Sequence, residues 1–405
     1  MKAEFAEVDQ PLAIDGVRLA SAAAGIRSVG RDDLALVELC PKAETTAVFT
    51  QNKFCAAPVI VAREHIATAR PRFLLFNSGN ANAGTGAKGV ADARAIVAEL
   101  ARIAGCSDHE VLPFSTGVIG ERLDCAKIIA VVPELFAGLA SKRWQDAATA
   151  IMTTDTVAKY CSVRVTIDGV SYSITGMAKG SGMIHPNMAT MLAFIATDAD
   201  VEAELLKGVL TDCVNQSFNR ITVDGDTSTN DACVLAATKR VSDGQSLTPR
   251  HSHWSAVIGG ISRVCQRLAR SIVRDGEGAT KFVEISVESA SETDSLAVAN
   301  TVAQSPLVKT ALFAGDPNWG RILAAVGRAP VSAMEVRDVS IWLGDYQIVE
   351  NGEPIEGYDE PVAAEIMAQE DIVLHIAIGN GSVGASVWTC DLSYEYVRIN
   401  AEYRS

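Results

Sequence analysis

Apolar residues along this chain follow two rhythms. The run Phe73-Leu74-Leu75-Phe76-Asn77 has strand length and feeds a loop, Ser78-Gly79-Asn80-Ala81-Asn82-Ala83-Gly84, rich in glycine and asparagine. Over residues 90 to 103 the spacing lengthens, and Ile96, Val97, Leu100 and Ile103 share one helical face. Residues 162 to 176 read as a hairpin. Val163 and Val165 alternate with polar residues, Asp168-Gly169 supplies a two-residue turn, and Tyr172 and Ile174 mark the return strand. A glycine-rich loop from Lys179 to Thr190 then enters the apolar run Met191-Leu192-Ala193-Phe194-Ile195-Ala196. Asp198 and Asp200 close that run, so it predicts a buried strand. A helix is expected over residues 201 to 218, with Val201, Leu205, Leu206, Val209 and Cys213 on one stripe, then strands near residues 221–223 and 233–235. Helix and strand mix without a regular βαβ period, which points to an α/β chain of the α+β layered kind and not to a doubly wound sheet. A second αβ unit is expected from about residue 240, ending in a strand over residues 394–400.

Composition narrows the function classes. At 405 residues the chain is comfortable as two units, and 48% hydrophobic with 21% charged residues is an ordinary soluble balance. A net charge of -14 argues against a polyanionic nucleic-acid partner, which needs a basic footprint. Nine cysteines without a C-x-x-C pair read as reduced thiols of a cytoplasmic protein. The acidic opening, Met1 to Glu7, lacks the apolar core of a secretory signal, and no apolar run reaches the eighteen or so residues of a membrane span.

Few segments carry chemistry by residue type alone. Thr190, at the end of the glycine-rich loop, reads as a β-branched strand residue. It also reads as a nucleophile if the Ala189–Thr190 bond is cut, because its own freed α-amine then serves as base. Ser115-Thr116-Gly117-Val118-Ile119-Gly120 is either an ordinary glycine turn or a donor set for an oxyanion. Arg274 to Lys281 packs charge between glycines, as ligand loops and solvated turns both do. Asp224 to Asp231 fails the calcium-loop template, with Gly225 misplaced and no closing Glu. His251-Ser252-His253 has no third ligand nearby in sequence, so a surface loop is expected there. No phosphate-binding or dinucleotide glycine motif is present, which leaves an ATP-using enzyme without support.

Taken together, the segments resemble the ornithine acetyltransferase family, also called the bifunctional glutamate N-acetyltransferase family of arginine biosynthesis. The resemblance rests on Ser115 to Gly120, Met152-Thr153-Thr154-Asp155-Thr156, Met177 to Ile184 and Pro186-Asn187-Met188-Ala189-Thr190-Met191-Leu192. Ser217 to Asp226, Asp275 to Lys281, Gly315 to Arg321 and Ile399 to Arg404 follow in family order.

The resemblance implies a self-processed N-terminal-nucleophile-type fold with intertwined chains. The α chain would be residues 1–189 and the β chain residues 190–405, as a heterotetramer of two of each. Thr190 would attack the Ala189 carbonyl, and water would resolve the resulting ester. Thr190 would then take acetyl from N-acetylornithine and pass it to glutamate, with neither cofactor nor metal required. Acetyl-CoA is a co-substrate of the bifunctional form but not of the monofunctional one, and the sequence does not choose between them. By the same resemblance Thr116 and Gly117 form the oxyanion hole, and Thr153, Lys179, Thr190, Glu277, Asn400 and Ser405 contact substrate. Lys179 suits a carboxylate and Glu277 an ammonium. Ser405, where the family usually ends in Thr, and His185, ahead of Pro186-Asn187, depart from the usual pattern. The alternative is a self-processing aminopeptidase or amidohydrolase of similar fold, which passes the acyl group to water and generally uses Ser. A non-catalytic binding protein is a third reading, against which Thr190, Thr116 and Lys179 count.

Overall fold

The computed structural model describes residues 3–8, 10–27, 30–185, 191–331 and 334–402. Ala189, Thr190 and Ser405 therefore lie outside the described residues. Among those described, the strands form sheets of six, seven and four.

The hairpin is the frame of the six-stranded sheet. Strands Lys159–Ile167 and Val170–Lys179 pair antiparallel across Asp168 and Gly169. Both turn residues have positive φ, 49° and 83°, the backbone that matches the twist of flanking strands. Val170–Lys179 next pairs antiparallel with Leu192–Ala199, which pairs parallel with Ala232–Val241. Glu4–Val8 and Glu44–Phe49 form the edges. The apolar run at Leu192–Ala199 is buried along its whole length because both sheet faces are covered. Ala193 and Ile195 face helices Trp254–Arg274 and Ala203–Asn215, and Leu192, Phe194 and Ala196 face the opposite layer.

That opposite layer is the four-stranded sheet of Val17–Ala22, Leu34–Leu39, Phe73–Asn77 and Val111–Ser115. Leu74, Phe76 and Phe114 fill the space between the sheets with Trp144 and Phe194, whose rings stack at 5.3 Å. Phe73 and Leu75 point the other way, to helices Gly86–Ala104 and Cys125–Ala137. The body is a helix–sheet–sheet–helix sandwich, the layered α/β arrangement expected from the sequence.

The seven-stranded sheet, centred on Phe282–Ser289, Asp371–Ile378 and Val383–Cys390, has its own core against helices Glu292–Ala303, Pro306–Ala314 and Trp319–Gly327. Its long strands begin at Phe282, later than the residue-240 boundary expected, because Trp254–Arg274 packs on the six-stranded sheet. The strand expected over residues 394–400 is instead the helix Tyr394–Glu402. None of the helix's described side chains is buried, so no apolar pattern marks its period in the sequence. The Glu395 N–H is held by the Ser393 hydroxyl, and Arg398 pairs with Glu395 one turn back.

Among the described residues no helix is long and apolar enough to cross a membrane. All nine cysteines are unpaired.

Candidate functional site

The turn after strand Val111–Ser115 is shaped by hydrogen bonds that Asn77 and Asn80 supply. Ser115 Oγ donates to Asn77 Oδ1 at 2.5 Å, the Thr116 N–H donates to Asn77 O at 3.0 Å, and Asn77 Nδ2 donates to Asn80 O at 2.9 Å. Thr116 and Val118 both bridge to Asn80. The two loops lie so close that a Cβ on Gly117, whose φ is 129°, would stand 2.4 Å from the carbonyl carbon of Gly79. Only glycine fits. Asn230 reaches in from the start of the neighbouring strand and donates both amide hydrogens, to Ala81 O at 2.6 Å and Ser115 O at 2.9 Å, locking the two loops together.

Opposite this turn, Lys179 ends the hairpin. Its buried ammonium donates to Thr116 Oγ1 at 3.2 Å. Since the Thr116 oxygen accepts there, its own hydrogen is available to a further acceptor. Burial lowers the Lys179 pKa, against which Asp155, Asp231 and Glu277 favour the cation.

Beneath Lys179 lies a buried charge network. Asp155 accepts from Lys159 Nζ at 2.7 Å, from the Gly180 N–H at 2.7 Å and from the Thr153 N–H at 2.9 Å. Burial alone would raise its pKa. Lys179 and Lys159 outweigh burial, with Gly180 adding to them, and hold it at about 2. Asp275 takes the other side of Lys159 at 2.5 Å and also accepts from the Thr156 N–H at 3.0 Å. The Asp275 carbonyl receives the Ser181 hydroxyl, and the Glu277 N–H donates to Ser181 O at 2.9 Å. One ion network thus ties together residues 153–156, 179–181 and 275–277. The glycine-flanked charges of Arg274 to Lys281 are not a solvated turn: Asp275 and Glu277 are both buried.

The pocket that results has a volume of about 80 Å³ and is lined by Thr116, Gly117, Thr153, Lys179, Glu277 and Asn400, among others. These are all the site residues expected from the sequence that fall within the described residues. The Glu277 carboxylate fills the space that a side chain on Gly182 would occupy, 2.3 Å from the position of its Cβ, and accepts from Asn400 Nδ2 at 2.7 Å. The helix Tyr394–Glu402 is what carries Asn400 there. Next to Met183, which lines the pocket, Ile184 is fixed by Val223 and Thr222, which donate to its carbonyl, and further along the chain Met191 O accepts from the Ala232 N–H at 3.1 Å. Residues 186–190, including Thr190, join these two anchored positions in the chain.

Three further expectations can be located. His185 receives the Gln304 amide at Nδ1, 3.1 Å away, and burial lowers its pKa, which favours the neutral ring. Asp224 is used as a backbone cap, accepting from the Met183 and Ile184 N–H groups at 2.6 and 3.0 Å, and burial raises its pKa. His251 and His253 are not without a third group, since Asp243 lies 3.2 Å from His251 Nε2. The His253 N–H, however, donates to His251 Nδ1 at 3.1 Å, which leaves the His251 proton on Nε2, facing Asp243. The cluster reads as a hydrogen-bonded loop.

Sequence reasoning missed Asn230, Lys159 and the connecting role of Asp155 and Asp275. A usable signal was present for the aspartates, because both sit inside segments otherwise made of small or glycine-flanked residues, where a charge has little reason to be unless it is paired.

A family model, that of the ArgJ family, matches residues 18–405. The chain belongs to the ArgJ family. It is 54% identical over 393 residues to the arginine biosynthesis bifunctional protein ArgJ of Methylococcus capsulatus, covering 97% of this chain and 96% of that one. Among solved structures, that of the arginine biosynthesis bifunctional protein ArgJ of Bacillus halodurans is 38% identical, with a TM-score of 0.49 over 52% of this chain and 98% of its own. Ornithine acetyltransferase of Mycobacterium tuberculosis, solved with ornithine, is 36% identical with a TM-score of 0.41, over 46% of this chain and 98% of its own. The family match takes in every residue that lines the pocket.

Proposed function

We propose that the chain is an acetyltransferase of arginine biosynthesis, cut ahead of Thr190, which moves acetyl from N-acetylornithine to glutamate on the Thr190 hydroxyl. The observation that carries this reading is the convergence of Thr116, Gly117, Lys179, Glu277 and Asn400 on one small polar pocket in an ArgJ-family chain.

The chemistry runs in two stages. In the first, Thr190 Oγ1 attacks the Ala189 carbonyl, the peptide C–N bond breaks, and water hydrolyses the ester. This yields an α chain of residues 1–189 and a β chain of residues 190–405 with a free α-amine. In the second, that amine takes the hydroxyl proton as Thr190 Oγ1 attacks the acetyl carbonyl of N-acetylornithine. The negative oxygen develops beside the Thr116 hydroxyl and the Gly117 N–H, with the Lys179 charge behind Thr116. Ornithine leaves with the proton, and the glutamate amine attacks the acetyl ester to regenerate Thr190. Exchange of acetyl between two amines through an ester asks for neither ATP nor a metal. Glu277, oriented by Asn400, suits the ornithine ammonium, and a cation such as Lys179 suits the carboxylate common to both substrates. Ser405 completes the contact set in this reading. Acetyl-CoA serves as a second acetyl donor, which makes the enzyme bifunctional. The working form is a cytoplasmic assembly of two α and two β chains.

Two bands on denaturing electrophoresis of the folded wild type, and one for Thr190→Ala, are expected. A folded but uncut wild type overturns the mechanism. Incubation with N-acetylornithine should release ornithine only when glutamate is present. Release indifferent to glutamate would favour the self-processing amidohydrolase.

A further inference from the structure

Behind the Thr116–Gly117 turn lies a second cleft. Arg27, Arg31, Asp33, Ser78, Gly79 and Thr153 line a cavity of about 360 Å³, several times the roughly 80 Å³ of the pocket. Thr153 belongs to the walls of both. The backbone joins them as well. A Cβ on Gly79 would lie 3.1 Å from Cβ of Arg27, and the same glycine backs directly onto Gly117. One glycine separates the cleft from the turn that faces the reacting carbonyl.

The lining of the cleft carries two arginines against one aspartate. In a chain of net charge -14 it presents two guanidinium groups. Its one carboxylate, Asp33, is occupied by the backbone N–H groups of Ala24 and Ile26, at 2.7 and 2.6 Å. Arg31 is pinned next to Thr153 through a single nitrogen, Nη2, which donates to Met152 O at 3.0 Å and Thr149 O at 3.4 Å. That contact positions the guanidinium and leaves the rest of its donor fork for a ligand. Such a fork matches the oxygens of a phosphate better than any other side chain does.

We propose that this cleft holds the phosphate-bearing tail of acetyl-CoA while the thioester passes Thr153 into the catalytic pocket. The inference rests on the reading that acetyl-CoA is a second acetyl donor. The pocket accommodates an acetyl group and a small amino acid, so a donor that carries a nucleotide must keep that nucleotide outside it. The adjoining basic cleft is where the tail meets opposite charge. In the supported step the acetyl C–S bond breaks as the C–O bond to Thr190 forms. The hydroxyl proton passes through the α-amine to the departing thiolate, and coenzyme A leaves as the thiol.

The test compares the processed wild type with the Arg27→Ala/Arg31→Ala double variant and with Arg31→Lys. Coenzyme A binding is measured by calorimetry, and KM is measured separately for acetyl-CoA, N-acetylornithine and glutamate. Loss of the two cations should weaken coenzyme A binding and raise the acetyl-CoA KM by about tenfold, with Arg31→Lys partly restoring both. N-acetylornithine-to-glutamate exchange should stay within about twofold, which also shows that the variant is folded. Unchanged coenzyme A binding overturns the proposal, as does a rise in the glutamate KM alone, since the cleft would then hold the acceptor's carboxylate. A wild type that exchanges acetyl between N-acetylornithine and glutamate yet fails to bind coenzyme A overturns this inference and leaves the exchange reading standing. A wild type inactive in exchange overturns that reading by itself.

Discussion

Replacing Asp155 by Asn removes one charge from the network under Lys179 while keeping the side-chain shape. Asp155 gives two acceptor oxygens to three donors, the Lys159 ammonium and the N–H groups of Gly180 and Thr153. Asn has one acceptor and places an NH2 group against a donor, so at least one contact becomes a clash of hydrogens. Breaking a buried ion pair from one side costs roughly 3–5 kcal/mol. Lys159 retains Asp275, which puts the expected loss at the lower end, about 3 kcal/mol. The pKa gives an independent measure. A carboxyl held at about 2, against an ordinary 3.8, is worth about 2 kcal/mol of folding free energy. The folded-state value is depressed, so that stability is fully present above about pH 4 and is lost as pH falls toward 2. Urea unfolding of Asp155→Asn should be followed in a Thr190→Ala background, where the chain is expected to remain whole and unfolding to stay unimolecular. The midpoint should drop, and the fall in stability between pH 4 and 2 should be shallower than with Asp155 intact. A change below about 0.5 kcal/mol, with the same acid profile, would refute the argument that this carboxylate holds the three loops together.

Other consequences are simpler to measure. Gly117→Ala places a methyl 2.4 Å from backbone at a φ of 129°, and the variant should lose activity and unfold at a lower temperature; normal activity would show that the turn relaxes freely. Thr116→Val keeps the shape of the side chain but loses the hydroxyl, and should lower kcat by about a hundredfold; the buried Lys179 ammonium loses an acceptor as well, so the melting temperature should also fall. Glu277→Gln retains a partner for Asn400 but not the negative charge. It should raise the KM for N-acetylornithine more than that for glutamate, and an equal effect on both would remove Glu277 from ornithine recognition.

The parts of this fold that were legible in the sequence are those whose partners lie close along the chain. The hairpin declared itself through Asp168-Gly169, because only a few residues tolerate two consecutive positive φ angles. The helix Gly86–Ala104 was visible in its apolar stripe, and the strand Leu192–Ala199 in its unbroken apolar run. The helix Tyr394–Glu402 was not, since it buries no described side chain and a period cannot be read where no core selects one. The charge network was hidden for another reason. Lys159 and Asp275 stand 116 positions apart, and neither residue type announces burial until the other is seen beside it. The site residues expected from the resemblance converge where they are described, but Asn230, which holds the turn after strand Val111–Ser115 from 115 positions away, carried no local mark.

The order of strands in the six-stranded sheet bears on how the enzyme can be remade once its backbone is cut. Leu192–Ala199 and Ala232–Val241, which follow the proposed scission, lie side by side between Val170–Lys179 and Glu44–Phe49, which precede it, so both fragments build one continuous hydrogen-bonded surface. Neither fragment alone can close that surface, and each would expose long unpaired edges prone to aggregate. An intact chain finds its register within one molecule. Two severed pieces must first meet, so their reassembly becomes second order and dilution-sensitive. Folding is then best completed before the proposed cut, and the durability of a cut enzyme is set by how slowly it opens, since the route back slows with dilution.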